Sequence, residues 1–338
     1  MARTRYLLAI ASAGAAVIGL GLVSLALGSA GIPPRQVFAL LWSWLRGHPE
    51  QGAIGLIILQ LRLPRIILGG LVGAGLATAG TAFQAILRNP LADPYVIGVS
   101  AGAGLGATLG IILGMNTYIL GFSTVPALAF LGAVITVALV YGLARMGSGV
   151  SISSLLLAGV AVGAFLTACI SLLLVFYRRN LDEVVFWLMG GLAGRGWRQV
   201  WNMVPYVLLG LAVLRLLARN LNLMTLGEEH AAYLGVEVAR TKNLTLAAGS
   251  LLAAAAVAMS GVIGFVGLMI PHMARMIIGG DHRRLIPFTA LFGAAFMMAA
   301  DTIARVALAP LEIPVGVITA LCGGPFFLWL LRRRGRAA

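Results

Sequence analysis

A serine in the pattern G-x-S-x-G is the first feature of this sequence that could do chemistry. Gly98, Ser100 and Gly102 form the pattern, which serves hydrolases when the serine lies on a sharp turn between a strand and a helix. The surrounding run is apolar and offers no such turn. A serine protease inside the membrane, with His272 as the base, is the remaining catalytic alternative. Against it, His272 follows Pro271 near one end of an apolar run, without a second histidine or an asparagine in the bundle.

An energy source for transport is also missing from the sequence. There is no G-x-x-x-x-G-K-[ST] loop, so the chain does not bind ATP in that way. A buried chain of acidic residues and lysines, which proton-driven carriers need, is absent too, because Asp301 and Glu312 both lie near the predicted outer surface. Cys169 and Cys322 lie within apolar runs without metal-ligand spacing. We therefore predict no catalytic residue, cofactor or metal site in this chain.

The densest polar stretch, residues 225–242 (TLGEEHAAYLGVEVARTK), is predicted to fold as a helix, a glycine and a second helix. Thr225 and Glu228 have the spacing of a capping box. Gly235 offers a left-handed helix stop, and a second helix can begin near Val236. We call this stretch the knuckle. It is either a long helical loop or a surface through which a soluble partner moves the rest of the chain.

Three arginines form a second polar feature. Arg62 and Arg65 lie one helical turn apart in LRLPR, and Arg305 follows Asp301 by one turn. They could be interfacial side chains that reach for water, with an Asp301–Arg305 pair inside the chain. They could equally form a cationic rim for an acidic soluble partner, because arginine binds carboxylates bidentately.

The composition indicates that these features belong to a membrane protein. Of 338 residues, 60% are hydrophobic and 10% are charged, and the mean hydropathy is +1.00. No soluble domain of this length could bury so much apolar surface, so the solvent must be lipid. The net charge of +14 does not require nucleic acid as a partner, because most arginines flank apolar runs as the positive-inside rule expects.

The apolar runs predict an all-α, single transmembrane domain over residues 1–338, with about ten spans. Residues 32–50 and 177–197 are too polar or too interrupted to span and are predicted to lie at the outer interface. Glycines recur every fourth residue from 98 to 114, which predicts close helix packing in the third span. The N-terminal run is treated as the first span and not as a cleaved signal peptide. The predicted spans are 6–28, 63–84, 96–114, 125–145, 153–176, 200–218, 244–260, 262–278, 285–305 and 313–331.

An even number of spans places both termini on one side, and charge selects which side that is. With the termini inside, fifteen of the 24 lysines and arginines face the cytoplasm, as the positive-inside rule prefers. This orientation makes the knuckle cytoplasmic and the three arginines external.

Eight motifs together resemble the iron-siderophore, haem and cobalamin permease family of ABC importers, and they occur in that family's order from residue 61 onward. The motifs are LRLPR, QAILRNPLADPYVIGVSAGA, LLLAGVAVGA, FWLMGGL, LGEEHAAYLGV, GVIGFVGLMIPHMAR, ADTIAR and LEIPVGVITALCGGPFFLWLL. The resemblance implies the type II importer fold and a homodimer in the cytoplasmic (inner) membrane. It also implies two cytoplasmic ATPase subunits, which hold the ATP and Mg²⁺, and an extracytoplasmic binding protein that delivers substrate.

The resemblance assigns roles to particular residues. Arg62, Arg65 and Arg305 would pair with glutamates of the binding protein. The bends at RNPLADP and SISSLLLAG would narrow the pathway on the cytoplasmic side, although Ile152 departs from the small polar residue of some cobalamin permeases. The coupling residues would be Gly227, Glu228, Glu229, Ala232, Leu234 and Gly235, and the gate residues would be Asn89, Leu91, Ile152 and Ser153.

The resemblance favours a ferric siderophore as the substrate, with haem or cobalamin next. Two other classes stay open on the sequence: an ion-coupled secondary transporter, which would need no ATPase subunit, and the intramembrane serine protease.

Overall fold

Helices account for nearly all of the chain that the computed structural model describes, which is residues 2–28, 32–47, 52–115, 118–119, 122–146 and 149–334. The all-α prediction is therefore confirmed, apart from two short hairpins. In the first half the elements are α1 (Ala2–Ala26), α2 (Pro34–Leu45), α3 (Ala53–Leu56), a π-helical segment (Ile57–Arg62), α4 (Leu63–Ile86), a 3₁₀ helix (Pro94–Ile97), α5 (Val99–Ile112), β1 (Tyr118–Ile119), β2 (Phe122–Ser123), α6 (Thr124–Ala144), β3 (Arg145–Met146) and β4 (Gly149–Val150).

The second half consists of helices in the described residues. β1 pairs with β2 and β3 with β4, each as an antiparallel hairpin at one end of α6. The helices that follow are α7 (Ile152–Phe176), a 3₁₀ helix (Arg178–Asn180), α8 (Leu181–Leu188), α9 (Trp197–Met224), α10 (Glu228–Tyr233), α11 (Val238–Ser260), α12 (Val266–Ile278), α13 (His282–Val306) and α14 (Val315–Arg334).

Each predicted span corresponds to an apolar helix. Among the described residues, seven helices are long and apolar enough to cross a membrane, and three shorter apolar helices, α5, α12 and α14, correspond to the remaining predicted spans. Several predicted spans are shorter than the helices in which they lie. The second span begins at Ala53, and the sixth ends at Met224.

The second span, Ala53–Ile86, is the most buried of the seven long helices: 89% of its most apolar stretch lies inside the protein. Glycines permit this burial. A Cβ on Gly73 would overlap the carbonyl oxygen of Gly293 in α13, and one on Gly80 would overlap that of Gly267 in α12. Small residues of this kind let membrane helices pack backbone to backbone.

The predicted glycine ladder of the third span is confirmed where it lies inside α5. Side chains on Gly102 and Gly106 would collide with the backbone of α6. At the two ends the glycines have another role, because Gly98 and Gly114 have positive φ angles of 83° and 62°, and glycine adopts such angles without strain.

The break predicted between the spans 244–260 and 262–278 is confirmed. Residues 261–265 form a non-helical link, and α12 begins only at Val266. Gly261 and Phe265 have φ angles of 70° and 68°, and Ile263 is 1% exposed. The hydroxyl of Tyr95 donates to the Ile263 carbonyl at 3.0 Å. Irregular backbone at membrane depth persists where protein covers it and satisfies its polar groups, which explains why the link does not need to be a turn at the surface.

The two halves follow the same order of elements. In each, a long buried helix (α4 or α11) is followed by a non-helical link and a short helix (α5 or α12), and then by two more apolar helices. Four predicted spans, α5, α6, α7 and α9, lie between α4 and α11. We therefore expect α4 and α11 to cross the membrane in opposite directions, which is the arrangement of an inverted repeat.

The two predicted interfacial segments contain short separate helices. Residues 32–50 contain α2, with Trp42 and Trp44 exposed, although residues 48–50 lie outside the described part. Residues 177–197 contain a 3₁₀ turn and α8. Their position at the membrane interface stays a prediction.

Candidate functional site

Arg65 is the centre of an ion cluster at the N-terminal end of α4. Its Nη2 and Nε donate to Oδ1 of Asp301 at 2.9 and 3.0 Å. Its Nη1 donates to both carboxylate oxygens of Glu312, at 2.9 and 3.1 Å. One guanidinium therefore joins α4, α13 and the segment that precedes α14. Charge-assisted bonds of this geometry are the strong class of hydrogen bond.

The other two arginines join the same cluster to α1. Nε of Arg305 donates to Asp301 at 3.1 Å, and its Nη2 donates to the hydroxyl of Ser24 at 2.5 Å. Nη1 of Arg62 donates to the carbonyl of Leu25 at 2.9 Å. The sequence interpretation of an internal Asp301–Arg305 pair is thus confirmed, and all three predicted docking residues lie together.

The cluster is more enclosed than the predicted cationic rim. Arg62, Arg65 and Arg305 are 7%, 9% and 7% exposed. Carboxylates of the same chain neutralise Arg65 and Arg305, whereas Arg62 bonds a backbone carbonyl. Glu312 is the accessible member, with 44% of its side chain exposed. The sequence analysis placed Glu312 only near the outer surface, since nothing in its local pattern indicates a partner 247 residues away.

A π-helical turn precedes Arg65 for a local reason. Pro64 has no N–H, and its ring would clash with the carbonyl of Gln60, four residues earlier. The segment Ile57–Arg62 widens to a π-helix around that carbonyl. Such bulges occur often at functional sites, and here Arg62 is its last residue.

At the opposite end of the bundle, the knuckle is held in place by internal contacts. Glu228 is 2.6 Å from Nζ of Lys242 and 3.6 Å from a guanidinium nitrogen of Arg88. Ala231 is fully buried and packs with Met224 and Val236. α10 is therefore fixed both to the neighbouring helices and to the chain that follows α4.

Glycines set both ends of α10. Gly227 has a φ of 114° and Gly235 a φ of 83°, so the predicted left-handed stop at Gly235 is confirmed. The predicted capping box at Thr225 was wrong. α9 continues to Met224, and Thr225 caps its C-terminal end, with its hydroxyl donating to the Asn222 carbonyl at 2.6 Å.

The solvent-exposed surface of the knuckle combines apolar and polar groups. Gly227 and Glu228 are partly buried and act as supports, whereas the other four predicted coupling residues are exposed. Tyr233 is 90% exposed and was missed, although a large apolar residue within a polar stretch is the signal that could have revealed it. The exposed residues between 225 and 235 are Thr225, Leu226, Glu229, His230, Ala232, Tyr233, Leu234 and Gly235.

The predicted gate residues lie on two segments, the turn that follows α4 and the first turn of α7. The side chain of Asn89 accepts from the N–H of Leu91 at 2.9 Å, which closes a turn after α4. Ile152 and Ser153 begin α7. The two segments pack closely further along the chain, at Gly159 of α7. A Cβ there would overlap the backbone of the 3₁₀ helix Pro94–Ile97. A gate role for the four residues stays a prediction.

Ser100 lies in a setting unlike that of a hydrolase. A 3₁₀ helix precedes it in the place where the nucleophile elbow requires a strand, and Ser100 itself lies in the first turn of α5. His272 packs edge-on against Phe326, with ring centroids 6.2 Å apart.

Comparison with known proteins agrees with this arrangement. The model of the FecCD transport family matches residues 16–333, which is most of the chain. The chain belongs to the FecCD transport family.

Relatives within the FecCD family are similar along almost their whole length. An uncharacterised ABC transporter permease protein, YvrB of Bacillus subtilis, is 44% identical over 323 residues, which cover 93% of this chain and 90% of that protein. The hemin transport system permease protein HmuU of Yersinia pestis is 42% identical over 327 residues and 93% of each chain. The cobalamin import system permease protein BtuC of Halobacterium salinarum is 46% identical over 307 residues, with 90% and 81% covered.

A solved structure shows the same fold. It is described as an inward-facing conformation of a metal-chelate type ABC transporter, and it matches this chain with a TM-score of 0.83 and 34% identity, covering 96% of this chain and 98% of that one. The FecCD chain described here is thus a polytopic membrane permease with the type II ABC importer fold.

Proposed function

We propose that this chain is the permease subunit of an ABC importer that moves a bulky metal chelate, a ferric siderophore in the first place and haem or cobalamin next. Relatives that carry hemin and cobalamin in their names support the substrate class, as does the metal-chelate type transporter of matching fold. The observation that carries the proposal is the structure of the knuckle. Its apolar residues Tyr233 and Leu234 are exposed, while ion pairs of Glu228 fix it to the rest of the chain.

The knuckle fits the role of a coupling element. A lever must be rigid where it joins the part that it moves, and the contacts of Glu228 with Lys242 and Arg88 provide that rigidity. It must also offer a surface to its partner, and Tyr233 and Leu234 provide apolar area that a cleft in an ATPase subunit would bury. When ATP closes the two ATPase subunits, the knuckles move with them and tilt the spans.

A second copy of the chain would complete the pathway. Only 11% of the most apolar stretch of α7 is buried. Large side chains of this helix, such as Leu157, Phe165 and Phe176, are exposed. Lipid or another protein must cover this surface. In the proposed homodimer the pathway lies between the two copies, with Asn89 and Ile152 near its cytoplasmic end.

The outer cluster would receive the binding protein. Arg62 bonds a backbone carbonyl, and among the described residues no carboxylate lies within 4.0 Å of it. Its charge is thus available to a glutamate of an acidic partner, and Arg65 can exchange the half-exposed Glu312 for another carboxylate. In this proposal the chain lies in the cytoplasmic (inner) membrane, the binding protein docks outside, and the knuckle and both termini are cytoplasmic.

The test is reconstitution with and without the ATPase. We expect proteoliposomes that contain the permease, its cognate ATPase and its binding protein to take up one radiolabelled chelate only with ATP. Leu234→Asp, at the exposed tip, should abolish co-purification of the ATPase and leave binding-protein association intact.

Arg240→Ala is the matched control, because Arg240 lies beside the tip in an exposed pair with Glu237, and such pairs contribute about 0–1 kcal/mol. It should retain both associations. Uptake without the ATPase subunit would overturn the proposal in favour of an ion-coupled secondary transporter.

A further inference from the structure

A cavity of about 460 Å³ lies beside the base of the knuckle, where α4 ends and where α12 passes into α13. Its charged lining is entirely basic and consists of Arg88 and Arg275. The neutral polar groups Gln84 and Thr225 also line it, together with His282. Two acidic residues lie just outside the lining. Glu228 is 3.6 Å from Arg88, and Asp281 accepts from Asn222, which itself accepts from the His282 N–H.

Arg275 is a partly buried cation without an anion. Its Nη1 donates to Oε1 of Gln84 at 3.1 Å, and the Gln84 amide is itself fixed by a bond to the Leu268 carbonyl at 3.0 Å. Within the described residues, no carboxylate lies within 4.0 Å of this guanidinium. A charge withdrawn from water without a counter-ion is costly, so the site as it stands is incomplete.

Arg88 is only weakly paired on its side of the cavity. Its guanidinium is 3.6 Å from Glu228, and the same carboxylate is held at 2.6 Å by Lys242. Nearly half of the Arg88 side chain is exposed. Guanidinium N–H groups of Arg88 are therefore available to a ligand that lies between Arg88 and Arg275.

His282 adds an acceptor and no negative charge. The residue is 2% exposed, and its Nδ1 is 2.7 Å from Oδ1 of Asn222. That oxygen only accepts, so we assign the ring proton to Nδ1, which leaves Nε2 as a lone-pair acceptor. Nε2 has no partner in the described structure. A hydroxyl group on the ligand would satisfy it.

We propose that this cavity binds a phosphate group that carries or adjoins a hydroxyl, held between Arg88 and Arg275. Guanidinium groups match phosphate oxygens bidentately, and basic pockets between the cytoplasmic ends of membrane helices bind phosphorylated headgroups. Free hydrogenphosphate and the headgroup of phosphatidylglycerol share this chemistry. Because Arg88 also contacts Glu228, an occupied cavity would add a link between the knuckle and α12.

Inorganic phosphate is the first probe. We expect the delipidated full-length permease to bind labelled phosphate saturably at constant ionic strength, and Arg275→Gln to weaken that binding by about tenfold or more. Arg219→Gln removes the same charge from an exposed position of α9 outside the cavity and should change the affinity less than about twofold. If Arg275→Gln fails to elute as a folded species, Arg88→Gln serves in its place.

A lipid arm identifies the source. In nanodiscs of phosphatidylcholine and phosphatidylglycerol, a headgroup ligand would remain bound through purification in the parent and in Arg219→Gln, and would be lost in Arg275→Gln, as native mass spectrometry can show. Either saturable phosphate binding or selective lipid retention supports the site.

If Arg219→Gln lost as much phosphate or headgroup binding as Arg275→Gln, the binding would depend on general surface charge, and the proposal would be overturned. If neither probe binds and Arg275→Gln instead weakens association of the ATPase, the cavity receives an acidic side chain of a protein partner, and the phosphate site is wrong.

Discussion

Asp301→Asn is expected to destabilise the protein far more than Glu312→Gln, although both remove one carboxylate from Arg65. Asp301 is 1% exposed and accepts bonds from both Arg65 and Arg305. Its loss leaves two enclosed guanidinium groups without their common counter-ion, and breaking a buried pair from one side costs about 3–5 kcal/mol. Glu312 has 44% of its side chain exposed, so water replaces it at a cost of about 0–1 kcal/mol.

The assay is reversible unfolding of purified variants in mixed detergent micelles, followed by circular dichroism. The predicted gap between the two variants is about 3 kcal/mol. Glu183→Gln is a suitable control, because it removes an exposed carboxylate from α8 that contacts neither arginine. Equal losses for Asp301→Asn and Glu312→Gln would refute the view that burial, and not charge count, gives the cluster its strength.

Three further outcomes follow from the packing and the charges. Gly80→Ala should cost at least about 1–3 kcal/mol, because the new Cβ meets the Gly267 carbonyl, and a thermal melt measures it. Burial raises the pKa of Asp93, in the link after α4, to about 6. The folded state therefore resists the ionisation that the unfolded chain undergoes near pH 4, and Asp93→Asn should raise Tm above pH 6 and leave it unchanged below pH 4. Glu228→Gln should increase hydrogen exchange across α10 because it removes the 2.6 Å ion pair of that helix, whereas Glu229→Gln, at an exposed position, should not.

The sequence predicted those features that depend on near neighbours or on overall hydrophobicity. The apolar runs located the seven described helices that are long enough to span and the three shorter apolar ones, because length and hydrophobicity can be read directly from the sequence. The Asp301–Arg305 pair followed from a spacing of four residues, and the stop at Gly235 from the backbone freedom of glycine.

Features that depend on distant residues were not predicted. Arg65 meets Asp301 across 236 residues of sequence, and no local pattern encodes that contact. The capping box at Thr225 failed because the helix before it continues to Met224, so tertiary packing outweighed a cap worth about 1 kcal/mol. The buried, non-helical conformation of residues 261–265 was not predicted, because a sequence cannot show that other helices cover such a backbone.

Arg65 is far in the sequence from the two carboxylates that it binds, and this has a consequence for biosynthesis. The ribosome makes Arg65 long before Asp301 and Glu312, so every nascent copy carries an unmatched cation in its best-buried helix until the last two spans have been inserted. A copy that terminates early never acquires the missing anions. We therefore expect prematurely ended chains to be degraded quickly, and the final quarter of the polypeptide to determine whether the first quarter can remain in lipid.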